Sequence, residues 1–461
     1  MTSTQSEGSS VFVSVNPATG TAVGTYPGHT DEEVRKILEA VGVAQRNWAE
    51  LSVEDRAVPF RKIAAHLRAE AAELSRLMAV EMGKPVAQGR AEILKCADNC
   101  DFYVLHAGSL LEDESLKPGR SLLRYQPLGT VLAVMPWNFP FWQVLRAAVP
   151  ILMAGNAMVL KHASNVMGAA VAIEMLMKDA GLLPDVFRTL RITSGQVAGV
   201  IRHPVVAGVT LTGSEAAGRA VTEVAGAVLK PTVLELGGSD PFIVLADADI
   251  PEAARVGAWA RNQNSGQSCI AAKRFLVEES VHDLFVGALL EHVRTLRMGD
   301  PLDPETELGP LAREDLRDDL HAQVVRSVES GATLLLGGEI PSGPGAYYPA
   351  TILDDVVPGM AAFDEETFGP VAAIVRVRDE ADAVRMANLS RFGLGASVWT
   401  GDLERGDRIA SRIESGMVFI NSMSRSDSWL PFGGIKASGF GRELWAPGIR
   451  SFTNAKTVYS E

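Results

Sequence analysis

Cysteine is scarce: three in 461 residues, an odd number that builds no complete disulfide framework and fits a reducing cytoplasm. Positive charge is outweighed, with 43 Lys and Arg against 56 Asp and Glu and a formal net charge of −13. That balance excludes a broad attraction to nucleic acid or to an anionic membrane surface. Any anionic ligand has to be held by a local cluster of cations or by helix N-termini. Long apolar runs are also missing. The most apolar stretch, 129–160, is broken by Pro136, Asn138, Pro140, Arg146, Pro150 and Asn156, whereas a membrane span needs about 20 nearly uninterrupted apolar residues. The opening MTSTQSEGSS has neither the basic nor the apolar region of an export signal. These absences leave a soluble cytoplasmic protein, 47% hydrophobic and 21% charged, and long enough for more than one core.

The first hundred residues carry helical periodicity over Asp31–Glu50, Ser52–Met82 and about 87–111. Ser52 is an N-cap candidate, and Gly83 with Pro85 is the stop signal of the second helix. From Gly129 short β-rich runs alternate with helices: TVLAVM, AMVLKH, VFRTLRI, AGVTLTG and PTVLEL, with a helix over 164–180. A second series follows Gly238, with PFIVLAD, KRFLVEE, ATLLLGG, VAAIVRV, ASVWT and GMVFIN, and a helix over 280–296. Such alternation predicts an α/β chain of two units with parallel sheets, hinged at ELGG. The runs SLLRYQP (121–127) and SFTNAKTVYSE (451–461) have no evident partner in their own halves, which points across a subunit boundary.

Three segments carry chemistry. Cys269 follows a small, polar, glycine-containing turn in NSGQSCIAAKRF, which gives a nucleophile access and backbone donors; a buried structural cysteine is the alternative. Glu235 ends an apolar strand in TVLELGGSDP, where a carboxylate has no packing role and a general base can enter a cleft; a solvated strand end is the alternative. Asn138, in PWNFPFW, is fixed between prolines and aromatics, so its amide suits a developing oxyanion. TLTGSEAAG (210–218) follows a strand and opens a helix, an arrangement for phosphate binding. AMVLKHAS ends in Lys161 and Ser164 at the edge where nucleotides lie. Cys96 and Cys100 share a helical face but have no second ligand pair, so no metal site is expected and both read as buried packing.

In order, PWNFP, LELGGSDP, GQSC, EETFGPV (365–371) and PFGGIKASGFGRE (431–443) resemble the aldehyde dehydrogenase superfamily, from NPATG at 16–20 to the C-terminal strand. The subgroup they most resemble is the NADP-preferring succinate-semialdehyde dehydrogenases. The resemblance implies a Rossmann-type dinucleotide domain (1–119 and 128–236), an α/β catalytic domain (237–447) and a small oligomerisation element of strands (120–127 and 448–461). It also implies a homodimer or homotetramer. Cys269 would be the nucleophile, Glu235 the base, and Asn138 with the Cys269 N–H the oxyanion hole. Trp137, Asn138, Gly213, Ser214, Leu236 and Glu366 fall on cofactor-contacting positions. Ser164 stands where NAD-preferring members carry Glu, so it leaves room for the 2′-phosphate of NADP, with Lys161 as its cation and NAD still possible.

The expected substrate is succinate semialdehyde, its carboxylate held by Arg146 and Ser426. An arginine in the apolar run WQVLRAAVP is costly to bury without an anion; the resemblance favours the substrate's carboxylate over an internal acid. Some members have a second Arg where this chain has Gln263, which predicts looser binding, and Arg261 lies two residues further back. Other aliphatic or aromatic aldehydes are the alternative substrates. A cysteine hydrolase or acyltransferase is the alternative chemistry, though none of the eight histidines stands in a base motif beside Cys269.

Overall fold

A computed structural model describes residues 10–117 and 119–461; residues 1–9, within which an export signal was sought, lie outside the described residues. The first helix spans Asp31–Ala49. Thr30 and Glu33 form a reciprocal capping box there: the Glu33 N–H donates to Thr30 Oγ1 and the Glu33 carboxylate accepts from the Thr30 N–H. The single helix expected over 52–82 is two, Val53–Ala69 and Ala71–Met82, broken at Glu70. The break lets both pack on the 25-residue helix Val86–Leu110. No Gly or Pro marks it, so packing rather than local propensity decides it.

Six strands form the first sheet, in the order Gly439–Phe440, Thr232–Glu235, Val206–Thr212, Thr130–Met135, Ala157–His162, Phe187–Thr189. The last five are parallel. The chain starts at Thr130–Met135, builds outward on one side, then returns to build on the other. The strand order therefore reverses between Thr130–Met135 and Val206–Thr212, and at such a switch point the loops after the strands diverge and leave a crevice. PWNFP leaves one of these two strands and Gly213–Ser214 the other.

The second sheet has seven strands, with Asp240–Val244 and Ala272–Glu278 near its centre and apolar cores on both faces. Glu235 ends a strand of the first sheet and Asp240 begins one of the second, so ELGGS carries the chain from one sheet to the other. Cys269 lies just before Ala272–Glu278 and Glu366 before Val371–Val377. The crevice thus has the C-terminal edge of one sheet on one side and the N-terminal edge of the other opposite.

The two runs left without a partner pair with each other within the chain. Thr453–Tyr459 lies antiparallel to Ser121–Pro127, and Glu114–Lys117 adds a third strand that the sequence reading did not anticipate. An unanticipated hairpin, Val11–Val15 with Ala22–Pro27, precedes the first helix and carries NPATG in its turn. Among the described residues no helix is long and apolar enough to cross a membrane.

Candidate active site

The chain approaches Cys269 through a loop held in an uncommon conformation. After the helix Ile250–Asn262, Asn264 (φ 55°), Ser265 (φ 53°) and Gly266 (φ 73°) are all left-handed. For the two non-glycine residues this costs roughly 1–2 kcal/mol each. Side chains hold the loop in place. Asn264 Nδ2 donates to the carbonyls of Asn138 (2.7 Å) and Gln267 (3.1 Å), and Ser265 Oγ donates to Gly309 O at 2.9 Å. Gln267 Oε1 accepts from the Ala312 N–H at 2.9 Å, and Arg261 donates to Gly266 O at 2.6 Å. Gly266 packs against the peptide joining Gly369 to Pro370 so closely that a Cβ would lie 2.6 Å from Pro370 N.

Cys269 opens into a cavity of about 320 Å³. Its thiol sees that cavity and otherwise only protein, and burial pushes its pKa up to about 11, although Arg146 and Lys273 draw it down. The thiolate, which is the nucleophilic form, therefore needs a proton acceptor. Asn138 is buried, and its Nδ2 donates to Gln267 O at 3.0 Å, leaving the second amide hydrogen for another acceptor.

Glu235 is buried with no hydrogen bond to either oxygen. It does not line the cavity. Its Oε1 sits against Gly433, where a Cβ would approach to 2.6 Å. Burial, then the neighbouring Glu443 carboxylate, raises its pKa well above the usual range, against the pull of Arg146 and Arg442. Burial and Glu443 both favour its neutral form over the carboxylate.

On the other side of the crevice, a groove is lined by Ser214, Glu215, Gly237, Glu366 and Arg391. The 13-residue helix Glu215–Ala227 begins there, its first turn capped by Ser214 Oγ accepting from the Ala217 N–H at 3.3 Å. The Gly213 N–H is already given to Glu235 O at 3.0 Å, so an anion has to be met by the amides that follow. Glu366 is fixed by the Gly238 N–H (3.0 Å) and by Lys273 (3.3 Å). Leu236 is buried over the start of that helix, and Trp137 meets Phe368 edge-on at 5.7 Å. Lys161 is partly buried at its strand end, with no acid paired to it among the described residues, and Ser164 beyond it is exposed. A helix N-terminus at the switch point, a fixed carboxylate and an unpaired cation together fit a dinucleotide.

Arg146 and Ser426 both line the Cys269 cavity. Arg146, however, has an internal partner: its Nε is ion-paired with Glu443, Nη2 donates to Thr212 Oγ1 at 3.3 Å, and its plane lies 4.4 Å from the centre of the Phe432 ring. The internal acid that the sequence reading ranked second is therefore present. The expected pocket role of Arg146 is left to Nη1, which makes no hydrogen bond among the described residues. Arg261 does not line the cavity.

Several cavity residues escaped the sequence reading. Glu92 Oε1 accepts the N–H groups of Phe141 (3.0 Å) and Trp142 (2.9 Å), which caps the helix Trp142–Met153 from another element, and its other oxygen pairs with buried Lys84. Lys95, one turn further along the same helix, is also in the wall. Their signal was Gln88, Glu92 and Lys95 at helical spacing, a polar line on a helix that elsewhere buries apolar residues. His162 is buried between the carbonyls of Met135 and Pro140, with its pKa lowered to about 4 by burial. No histidine lines the cavity among the described residues, which counts against a Cys–His hydrolase. Cys96 and Cys100 are buried and free, and no group of metal ligands occurs among the described residues.

The profile described as "Aldehyde dehydrogenase family" matches residues 3–458. A protein of Escherichia coli K12 named succinate semialdehyde dehydrogenase NAD(P)+ Sad is 46% identical over 451 residues, covering 97% of this chain and 98% of its own length. A succinate-semialdehyde dehydrogenase NADP(+) of Mycobacterium avium is 47% identical over 454 residues, covering 97% and 96%. Among solved structures, succinic semialdehyde dehydrogenase from Streptococcus pyogenes in complex with NADP+ superposes with a TM-score of 0.95 at 37% identity, covering 97% of this chain and 99% of that one.

Proposed function

Since the chain belongs to the aldehyde dehydrogenase family, we propose that it oxidises succinate semialdehyde to succinate with NADP, NAD serving as a second cofactor. The observation that carries this reading is the placement of Cys269 in a cavity whose lining includes Lys84, Lys95, Arg146 and Arg425, beside a groove suited to a dinucleotide. Ser214 and the helix it caps would receive the pyrophosphate, with Gly213, Leu236 and Trp137 flanking it. Glu366 would hold the nicotinamide ribose, and Lys161 with Ser164 the adenosine end. Bound there, the dinucleotide supplies the hydride acceptor.

The chain's own groups supply the rest. The Cys269 thiolate adds to the aldehyde carbon while the Asn138 amide and the Cys269 N–H donate to the oxygen that gains charge; one such donor contributes about 3–4 kcal/mol. Loss of hydride leaves a thioester on Cys269. Glu235, once deprotonated and turned inward, takes a proton from water; the hydroxide oxygen bonds to the thioester carbon, the C–S bond breaks, and the thiolate and acid are released. Arg146 and Ser426 receive the substrate's own carboxylate. The exposed three-stranded element would join copies into a homodimer or homotetramer, and the three free cysteines suit the cytoplasm.

Initial rates of nicotinamide reduction on succinate semialdehyde, butanal and benzaldehyde, each with NADP and NAD, test the substrate assignment. Succinate semialdehyde should lead in kcat/KM by about tenfold or more, since a paired carboxylate contributes at least ~1.4 kcal/mol. A lead by either neutral aldehyde would contradict it. For the cofactor, Ser164→Glu sets a carboxylate against the 2′-phosphate. At about 1 kcal/mol for two unit charges near 4 Å in water, it should lower kcat/KM for NADP roughly fivefold or more and leave NAD nearly unchanged. An unmoved ratio would place specificity elsewhere.

A further inference from the structure

We propose that Lys95, acting with Ser426, supplies a further cation for the substrate's carboxylate, beside the partly committed guanidinium of Arg146. This rests on the reading that the substrate is a carboxylated aldehyde. Four cations line the Cys269 cavity, and three are committed or solvated. Lys84 is paired with Glu92, Arg146 is paired with Glu443, and Arg425 is exposed at the rim, where water competes for it. Lys95 forms no ion pair among the described residues. Its ammonium donates to Ser426 Oγ at 2.9 Å and lies 4.2 Å from the centre of the Trp142 ring. An ammonium has three N–H donors, and one hydroxyl leaves this one short of acceptors in a largely apolar wall.

The hydrogen-bond polarity of Ser426 points the same way. Its oxygen accepts from both Lys95 Nζ and Trp142 Nε1, each at 2.9 Å. A hydroxyl has two acceptor sites and one donor. Both acceptor sites are taken, so the free capacity of Ser426 is its O–H. Together Lys95 and Ser426 offer donors only, and the ligand that matches is an acceptor with negative charge. Burial and the positive field of Arg146 lower the Lys95 pKa to about 8, so an anion arriving there restores the full ammonium.

The test is steady-state kinetics of the wild type, Lys95→Met and Lys95→Arg on succinate semialdehyde and butanal with saturating NADP. Lys95→Met keeps the length of the stem and removes the charge. It should raise KM for succinate semialdehyde about tenfold or more with kcat within about twofold, and shift KM for butanal several-fold less. Lys95→Arg should recover most of the loss. Thermal unfolding reports on folding in each variant. Equal losses on both aldehydes, or no loss on succinate semialdehyde in an enzyme that prefers it, would overturn the role of Lys95 alone. A wild type without preference for succinate semialdehyde would instead overturn the carboxylated-substrate reading beneath it.

Discussion

Glu235→Gln should complete one turnover and then stall. Gln keeps the size of the side chain and removes its ability to accept a proton, so the addition of Cys269 and the loss of hydride survive while hydrolysis of the thioester does not. Rapid mixing with succinate semialdehyde and NADP should show a burst of reduced cofactor near one equivalent per active site, followed by a steady rate about 100-fold or more below the wild type. pH dependence gives a second readout. Burial and Glu443 hold the Glu235 carboxyl above its ordinary range, and a base acts only when deprotonated. The wild-type rate limited by hydrolysis should therefore climb with pH over a range above that of an ordinary carboxylate, and that limb should vanish in the variant. Absence of a burst would mean that Glu235 acts before hydride loss.

Gly266→Ala should remove activity through the backbone alone. The residue is left-handed at φ 73° and its missing Cβ faces the Gly369–Pro370 peptide, which cannot swing away as a flexible side-chain end could. The loop would have to move, and with it the carbonyl of Gln267 that Asn138 holds and the direction of Cys269. A displacement of about 1 Å can lower a rate on the order of 100-fold. A loss of kcat/KM of at least that order is expected, checked against thermal unfolding and the rate of thiol alkylation at Cys269. Activity near that of the wild type would show that the loop tolerates rearrangement and that its geometry is not needed for catalysis.

The sequence made much of this site legible because most of its residues stand at strand ends. Apolar runs locate the strands, and a polar or glycine residue at or just beyond the end of a run marks the crevice, as with Lys161, Gly213 and Glu235; Asn138 stands out instead by the prolines and aromatics around it. What stayed hidden depends on distant partners. The Glu443 that holds Arg146 lies almost three hundred positions away along the chain, and no local pattern announces that pairing. Lys95 and Glu92 sit on a helix whose polar residues look solvated until the Trp142–Met153 helix is set against it. The break at Glu70 and the pairing of 121–127 with 453–459 likewise follow from tertiary packing, not from propensity.

Mass measurement of peptides from the Glu235→Gln enzyme, quenched in acid after mixing with succinate semialdehyde and NADP, tests the central claim most directly. A succinyl group is predicted on the peptide that contains Cys269, lost on treatment with hydroxylamine as a thioester is, and absent when Cys269 is replaced by Ala. An acyl group on any other residue, or a burst of reduced cofactor with Cys269 unmodified, would contradict the thioester route.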